Sequence, residues 1–214
     1  CIFNNKGANS TVEPTGTSTG LIETADGYRW KYMYTVSGAD NGKFVTDQYI
    51  PIKVLTANDG SSQWATQQAA VNGAIQIIKT TEGGRGYLTT NGSFQSVTNG
   101  ASFSLANTAS TTDSIYVGST VYIKSGLGAG LLREIVRYVG TSRLVTVNSA
   151  FTTAPNTSSG YIVSPKVVVS GDGSGCLAYS NVVASNGAVN YINIISTGSD
   201  YSNATVAISA NSSH

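Results

Sequence analysis

Two stretches of this chain repeat one another without a gap. "NGAIQIIKTTEGGRGY" (Asn72 to Tyr87) aligns with "NGAVNYINIISTGSDY" (Asn186 to Tyr201) over sixteen residues. Each copy opens on an Asn-Gly turn, runs through an alternating stretch, reaches a glycine at Gly84 or Gly198, and ends on a tyrosine. Such ends bracket strands, because asparagine and glycine accept the left-handed backbone that tight turns demand. A duplicated turn-strand-turn unit predicts one sandwich built from two related β modules. The second copy continues directly into "SNATVAIS", whereas the comparable strand after the first is "SPKVVVSG", from Ser164. Residues 88–161 then read as an insert with aromatics of its own, among them Phe94, Phe103, Tyr116, Tyr138, Phe151 and Tyr161. The expected fold is therefore mainly β. A discontinuous β-sandwich base domain takes 1–87 and 162–214, and a small inserted β domain takes 88–161.

Further elements follow from local pattern. Trp30, Tyr32, Tyr34 and Val36 alternate with Arg29, Lys31, Met33 and Thr35, the period of a strand with an aromatic face. A short helix is expected near 38–46, with Ser37 and Asp40 as caps and Pro51 beyond its end. A second is expected over 61–71, capped by Ser61 or Ser62 and stopped by Asn72-Gly73. "PIKVL" reads as a short strand. After Ala74 the strand candidates are "AIQIIKTT", "SIYVGSTVYIKS", "REIVRYVG", "RLVTVNS", "GYIVSP", "KVVVSG", "LAYSNVVAS", "AVNYINIIST" and "ATVAISA", separated by Gly, Asn and Ser clusters.

The residues that carry chemistry are sparse. The single histidine is His214, the last residue, which removes Ser-His-Asp and Cys-His arrangements and His-based zinc sites. Cys1 and Cys176 are too few for a Cys-only zinc site and read as free thiols. Glu82, Asp113, Glu134, Asp172 and Asp200 form no glycosidase motif, so a carboxylate enzyme is disfavoured. "GLGAG" (Gly126 to Gly130) lacks the spacing of a dinucleotide fingerprint and reads as a hairpin loop. "GDGSG" (Gly171 to Gly175) offers calcium one carboxylate where six to eight oxygens are needed, and reads as a tight turn. Five Asn-x-Ser/Thr sequons, Asn9, Asn156 and Asn203 among them, are near what this composition produces by chance. No cofactor or metal is expected.

Only 11% of residues are charged, with net charge +1. Twelve scattered Lys and Arg make no cationic footprint, so nucleic acid is not an expected partner. The longest apolar runs fall far short of a membrane span, and no signal peptide is visible. The opening on Cys1 instead of Met reads as the start of a fragment. A neutral hydroxyl- and amide-rich surface repels neighbours weakly, which suits a part packed inside an assembly. The aromatics near Trp30 fit that setting. Each large ring buries about 150–250 Å², so several left bare in solution would be sticky, and the strand is expected in a core or an interface.

These residues also carry a resemblance. Gly27, Tyr28, Trp30 to Tyr34, Lys43, Phe44 and Tyr49 to Pro51 make the pattern "GYxWKYMY…KF…YIP", within about the first quarter of the chain. It resembles the dimer-forming structural wedge subunits of the baseplate in T-even-like contractile-tailed bacteriophages. The resemblance implies a virion protein assembled in the host cytoplasm, homodimeric, in contact with other wedge subunits, and not an enzyme. It places Tyr28, Trp30, Tyr32, Tyr34, Phe44, Tyr49 and Pro51 in core or interface. The alternative is a carbohydrate-binding or adhesive β module, with Trp64 and Tyr87 as sugar platforms.

Overall fold

The computed structural model describes residues 1–209, so His214 lies outside the described residues. The protein is mainly β, 37% strand against 8% helix. Contacts group the chain into two units, Cys1–Asn72 and Gly73 onward. This division differs from the expected boundaries at 87 and 162. No helix among the described residues is long and apolar enough to cross a membrane.

The first unit is lightly built. Strands β1 (Leu21–Glu23) and β2 (Arg29–Lys31) form a two-stranded antiparallel hairpin, with Ile22 opposite Trp30. Helix α1 (Gly38–Phe44) is capped by Ser37, whose hydroxyl accepts from the Asp40 N–H. Helix α2 (Ser62–Gln68) is capped by Ser61, which accepts from the Trp64 N–H. Both helices thus start where the caps predict and are shorter than expected. The N-terminal loop is tied to the hairpin by Asp26. Its Oδ2 accepts from the Thr11 and Val12 N–H groups at 2.8 and 3.1 Å and from the Ser10 hydroxyl at 3.0 Å. Its Oδ1 accepts from the Thr24 hydroxyl at 2.5 Å.

The second unit holds a ten-stranded antiparallel arrangement. In chain order it contains β3 (Thr90–Ser93), β4 (Ser96–Asn99), β5 (Ser102–Ser104), β6 (Ser119–Ser125), β7 (Leu132–Val139), β8 (Leu144–Val147), β9 (Gly160–Gly171), β10 (Ser174–Val183), β11 (Ala188–Ser199) and β12 (Ala204–Ser209). "GLGAG" is the β6–β7 turn, where Gly126 and Gly128 take φ of 79° and 81°. "GDGSG" is the β9–β10 turn, and Asp172 accepts from the Ser202 and Asn203 N–H groups at 3.0 and 2.9 Å. Those bonds hold its carboxyl below the usual range and make it a turn clamp.

Two expected strands, "GYIVSP" and "KVVVSG", are one twelve-residue strand, β9. Its first half pairs with β3 and β6, and its second half with β12. Pro165 stands where the neighbours change, a place that tolerates a residue without an N–H. Two apolar clusters follow this split. One gathers Phe94, Phe103, Tyr138, Phe151, Tyr161 and their neighbours. Phe94 stacks on Tyr161 with centroids 4.8 Å apart and meets Phe103 at 4.6 Å. The other gathers Val167, Ala178, Val189 and Ile192, joined by Ile78 and Tyr87 from the first repeat copy. That copy, expected as the strand "AIQIIKTT", is no strand. It runs beside β11 as an irregular strap, bonded to it near each end.

Candidate functional site

The aromatic stretch was expected to be a strand to Val36, but its ladder stops at Lys31. Alternation outlasts the ladder: Trp30, Tyr32, Tyr34 and Val36 are half-buried while Met33 and Thr35 are exposed. Tyr28 stacks on Trp30, centroids 5.5 Å apart, and donates its hydroxyl proton to the Ala8 carbonyl. The Trp30 Nε1 is buried without a hydrogen-bond partner. The hydroxyls of Tyr32 and Thr35 bond to each other at 2.8 Å.

Beyond Val36 the chain turns through α1 and returns as the segment 49–55. Tyr34 and Val36 on one side, Phe44 of α1, and Pro51 and Ile52 of the returning segment enclose an open cleft of about 160 Å³. Asp40 and Lys53 are the charged groups in its lining. An apolar recess with one charge of each sign is suited to gripping a side chain of a protein partner.

"PIKVL" was expected to be a strand, and the structure assigns none there. The physical reason lies in α2. The Gln67 side-chain oxygen accepts from the Leu55 N–H at 3.0 Å, and its amide nitrogen donates to the Leu55 carbonyl at 2.7 Å. The Gln63 amide donates to the Lys53 carbonyl at 2.6 Å. Two glutamines thus satisfy groups that a neighbouring strand would otherwise satisfy. Gln63 is buried and Gln67 half-buried. The segment is held by its backbone, and its apolar side chains are left to solvent. Tyr49 is 72% exposed, Ile50 63%, Ile52 81% and Val54 70%, with Phe44 57% exposed nearby in the cleft wall. These exposed apolar side chains make a stripe along one short run of chain, Tyr49 to Val54.

Of the residues singled out in the sequence, the cleft brings together Tyr34, Phe44 and Pro51. Tyr28 and Trp30 belong to the hairpin, and Tyr49 stands at the head of the exposed stripe. None of the seven is fully buried. Sequence reasoning missed Ile50, Ile52 and Val54 as surface residues, and Gln63 and Gln67 as their holders. The signal was present in "SQWATQQ", where the two glutamines fall four apart on one helical face. Trp64 and Tyr87, the sugar platforms of the alternative reading, are both half-buried. Cys1 and Cys176 are free thiols. Among the described residues no three of His, Cys, Asp or Glu cluster as metal ligands would. Comparison with protein-family models, with curated proteins and with solved structures finds no match.

Proposed function

We propose that this chain is a structural component of a contractile phage tail baseplate. In this reading it is a rigid wedge connector with a β-sandwich base, homodimeric, in contact with other wedge subunits of the virion, and without enzymatic activity. The observation that carries the reading is the exposed stripe Tyr49, Ile50, Ile52 and Val54 beside the apolar cleft. Exposed apolar side chains grouped in one short run beside an apolar recess favour a protein–protein contact. The stripe lies at the end of the "GYxWKYMY…KF…YIP" pattern, so the residues that carry the resemblance and those that offer the contact overlap.

A scaffold takes part in a host-triggered rearrangement only if its contacts differ in free energy between the two baseplate states. The stripe supplies such contacts. Burying one isoleucine side chain there is worth about 1.5–3 kcal/mol, so its engagement in one state alone would bias the switch severalfold or more. The test is the double variant Ile50→Asp, Ile52→Asp, supplied to tail assembly in infected cells. The expected result is a folded protein that stays out of purified tails while the wild-type chain enters them. Entry of both chains, or of neither, would overturn the reading.

A further inference from the structure

The two repeat copies pair with each other, and they do so symmetrically. Number each copy from its Asn. Position 4 of the first copy, Ile75, donates its N–H to the carbonyl of position 12 of the second, Thr197, at 2.9 Å. Position 4 of the second, Val189, donates to position 12 of the first, Gly83, at 2.8 Å. The ends repeat the relation. Tyr201 donates to Gly73 at 3.2 Å, and Tyr87 to Gly187 at 3.0 Å, each linking position 16 to position 2. The turns match too: Gly73 and Gly187 have φ of 64° and 65°, and Gly84 and Gly198 have 60° and 62°. A local two-fold axis therefore relates the strap to its partner. The pairing is self-complementary, so a second repeat copy offers another copy of itself the same donors and acceptors in the same places.

β11 lies at the end of the sheet order. From Ala188 to Ser199 it holds no Asp, Glu, Lys, Arg or Pro. Natural edges are guarded by charge, proline or cover, because an open ladder invites another strand. This edge lacks the first two and has the third. The strap carries the charges instead, Lys79, Glu82 and Arg85.

We propose that the β11 edge is a homotypic docking edge for β11 of a second copy of this chain, and that residues 73–87 occupy it in cis. When the strap leaves, two β11 strands pair antiparallel across a true two-fold axis and continue the sheet from one protomer into the other. No like charges oppose one another along the paired strands. The homodimer of the proposed function would form by this pairing on assembly, the free chain staying monomeric while its strap is in place. The inference rests on the register, and failure to enter tails would leave it standing.

Gly83→Val tests it, because a Cβ at this position would meet the Val189 carbonyl oxygen at 2.3 Å and push the strap off. Mass is measured by light scattering at micromolar concentration, with circular dichroism to follow the fold. The expected result is a twofold rise in mass, reversed by an excess of a peptide of residues 72–87. Asn193→Cys in that background, with Cys1 and Cys176 changed to Ser, should form an interchain disulfide, since residue 193 lies near the centre of the register. The same cysteine beside an intact strap should form none. In a second variant, residues 74–82 are replaced by a Gly-Ser run of equal length, which removes the strap's side chains without adding bulk. It should dimerise as well. A folded monomer from either variant overturns the proposal. Unfolding of both overturns it equally, because an edge that accepts a second copy does not need its own strap to stay folded.

Discussion

Aromatic residues concentrate in two places in this protein and meet opposite fates. Around β5, β7 and β9 of the second unit, Phe94, Phe103, Tyr116, Tyr138, Phe151 and Tyr161 are all buried, with Phe103 and Tyr161 wholly so. In the first unit, Tyr28, Trp30, Tyr32 and Tyr34 are half-covered, and Phe44 and Tyr49 are exposed. The residue types are alike. The surroundings differ: β5 to β9 each have a hydrogen-bonded strand on both sides, while β1 and β2 form a two-stranded sheet. Aromatic density in a sequence reports how much surface wants cover, and the number of strands laid around it decides whether the same chain supplies it.

The sharpest break of this comparison is Phe103→Ala. Deleting a ring at zero exposure, packed on Phe94 and Phe151, should lower stability by about 3–5 kcal/mol in urea unfolding. A loss below 1 kcal/mol would mean that the second unit's core is no better packed than the first unit's surface. Next comes Gln67→Ala. It strips both partners from the Leu55 backbone and should cost about 1–3 kcal/mol. The Leu55 amide should then exchange with solvent faster while the Val121 amide does not, which separates the two units.

The pH limbs divide the units further. Burial, first among several causes, pushes the Tyr138 hydroxyl up to about 12 from 10.0. The folded state then keeps a proton that the unfolded state loses. Stability should fall as pH rises from about 10 to 12, and Tyr138→Phe should flatten that fall. Asp26 gives the opposite limb. Its hydrogen bonds, the Thr24 hydroxyl first, hold its carboxyl well below the ordinary range. Its contribution is complete above the unfolded carboxylate pKa and drains away as pH drops toward the folded value. Asp26→Asn should flatten the acid limb of the first unit only, read from its own tryptophan fluorescence. The smallest effect belongs to Ile52→Ser, within about 0.5 kcal/mol, as for a side chain that folding leaves in water. A loss beyond 2 kcal/mol would show that the stripe is covered by the chain itself.

Much of this architecture was legible locally. Ser37 and Ser61 announced both helix starts, because a hydroxyl before a helical run satisfies an N–H that the helix itself leaves open. "REIVRYVG" and "RLVTVNS" alternate in the period of β7 and β8 and are bounded by turn residues. Other elements left no local trace. β3, "TNGS", and β4, "SVTN", read as loop by composition and are strands because β9 and β5 supply their ladder partners. "PIKVL" has strand propensity and no strand, because Gln67 reached Leu55 first. Of the candidate surface, the tyrosines and Phe44 were conspicuous, while Ile50 stood only inside the "YIP" pattern and Ile52 and Val54 only inside an expected short strand.

The sequence by itself determined the β class, the turns and the duplication, since each depends on residues close in the chain: alternation sets the period, and Asn-Gly sets the bend. The tertiary structure alone decided that the two copies lie against each other about a local axis, that one of them is a strap and not a strand, and that the apolar residues after Tyr49 face outward. Those outcomes depend on which distant backbone groups meet. Backbone hydrogen-bonding groups are alike at every residue but proline, so the side-chain pattern records little of that choice.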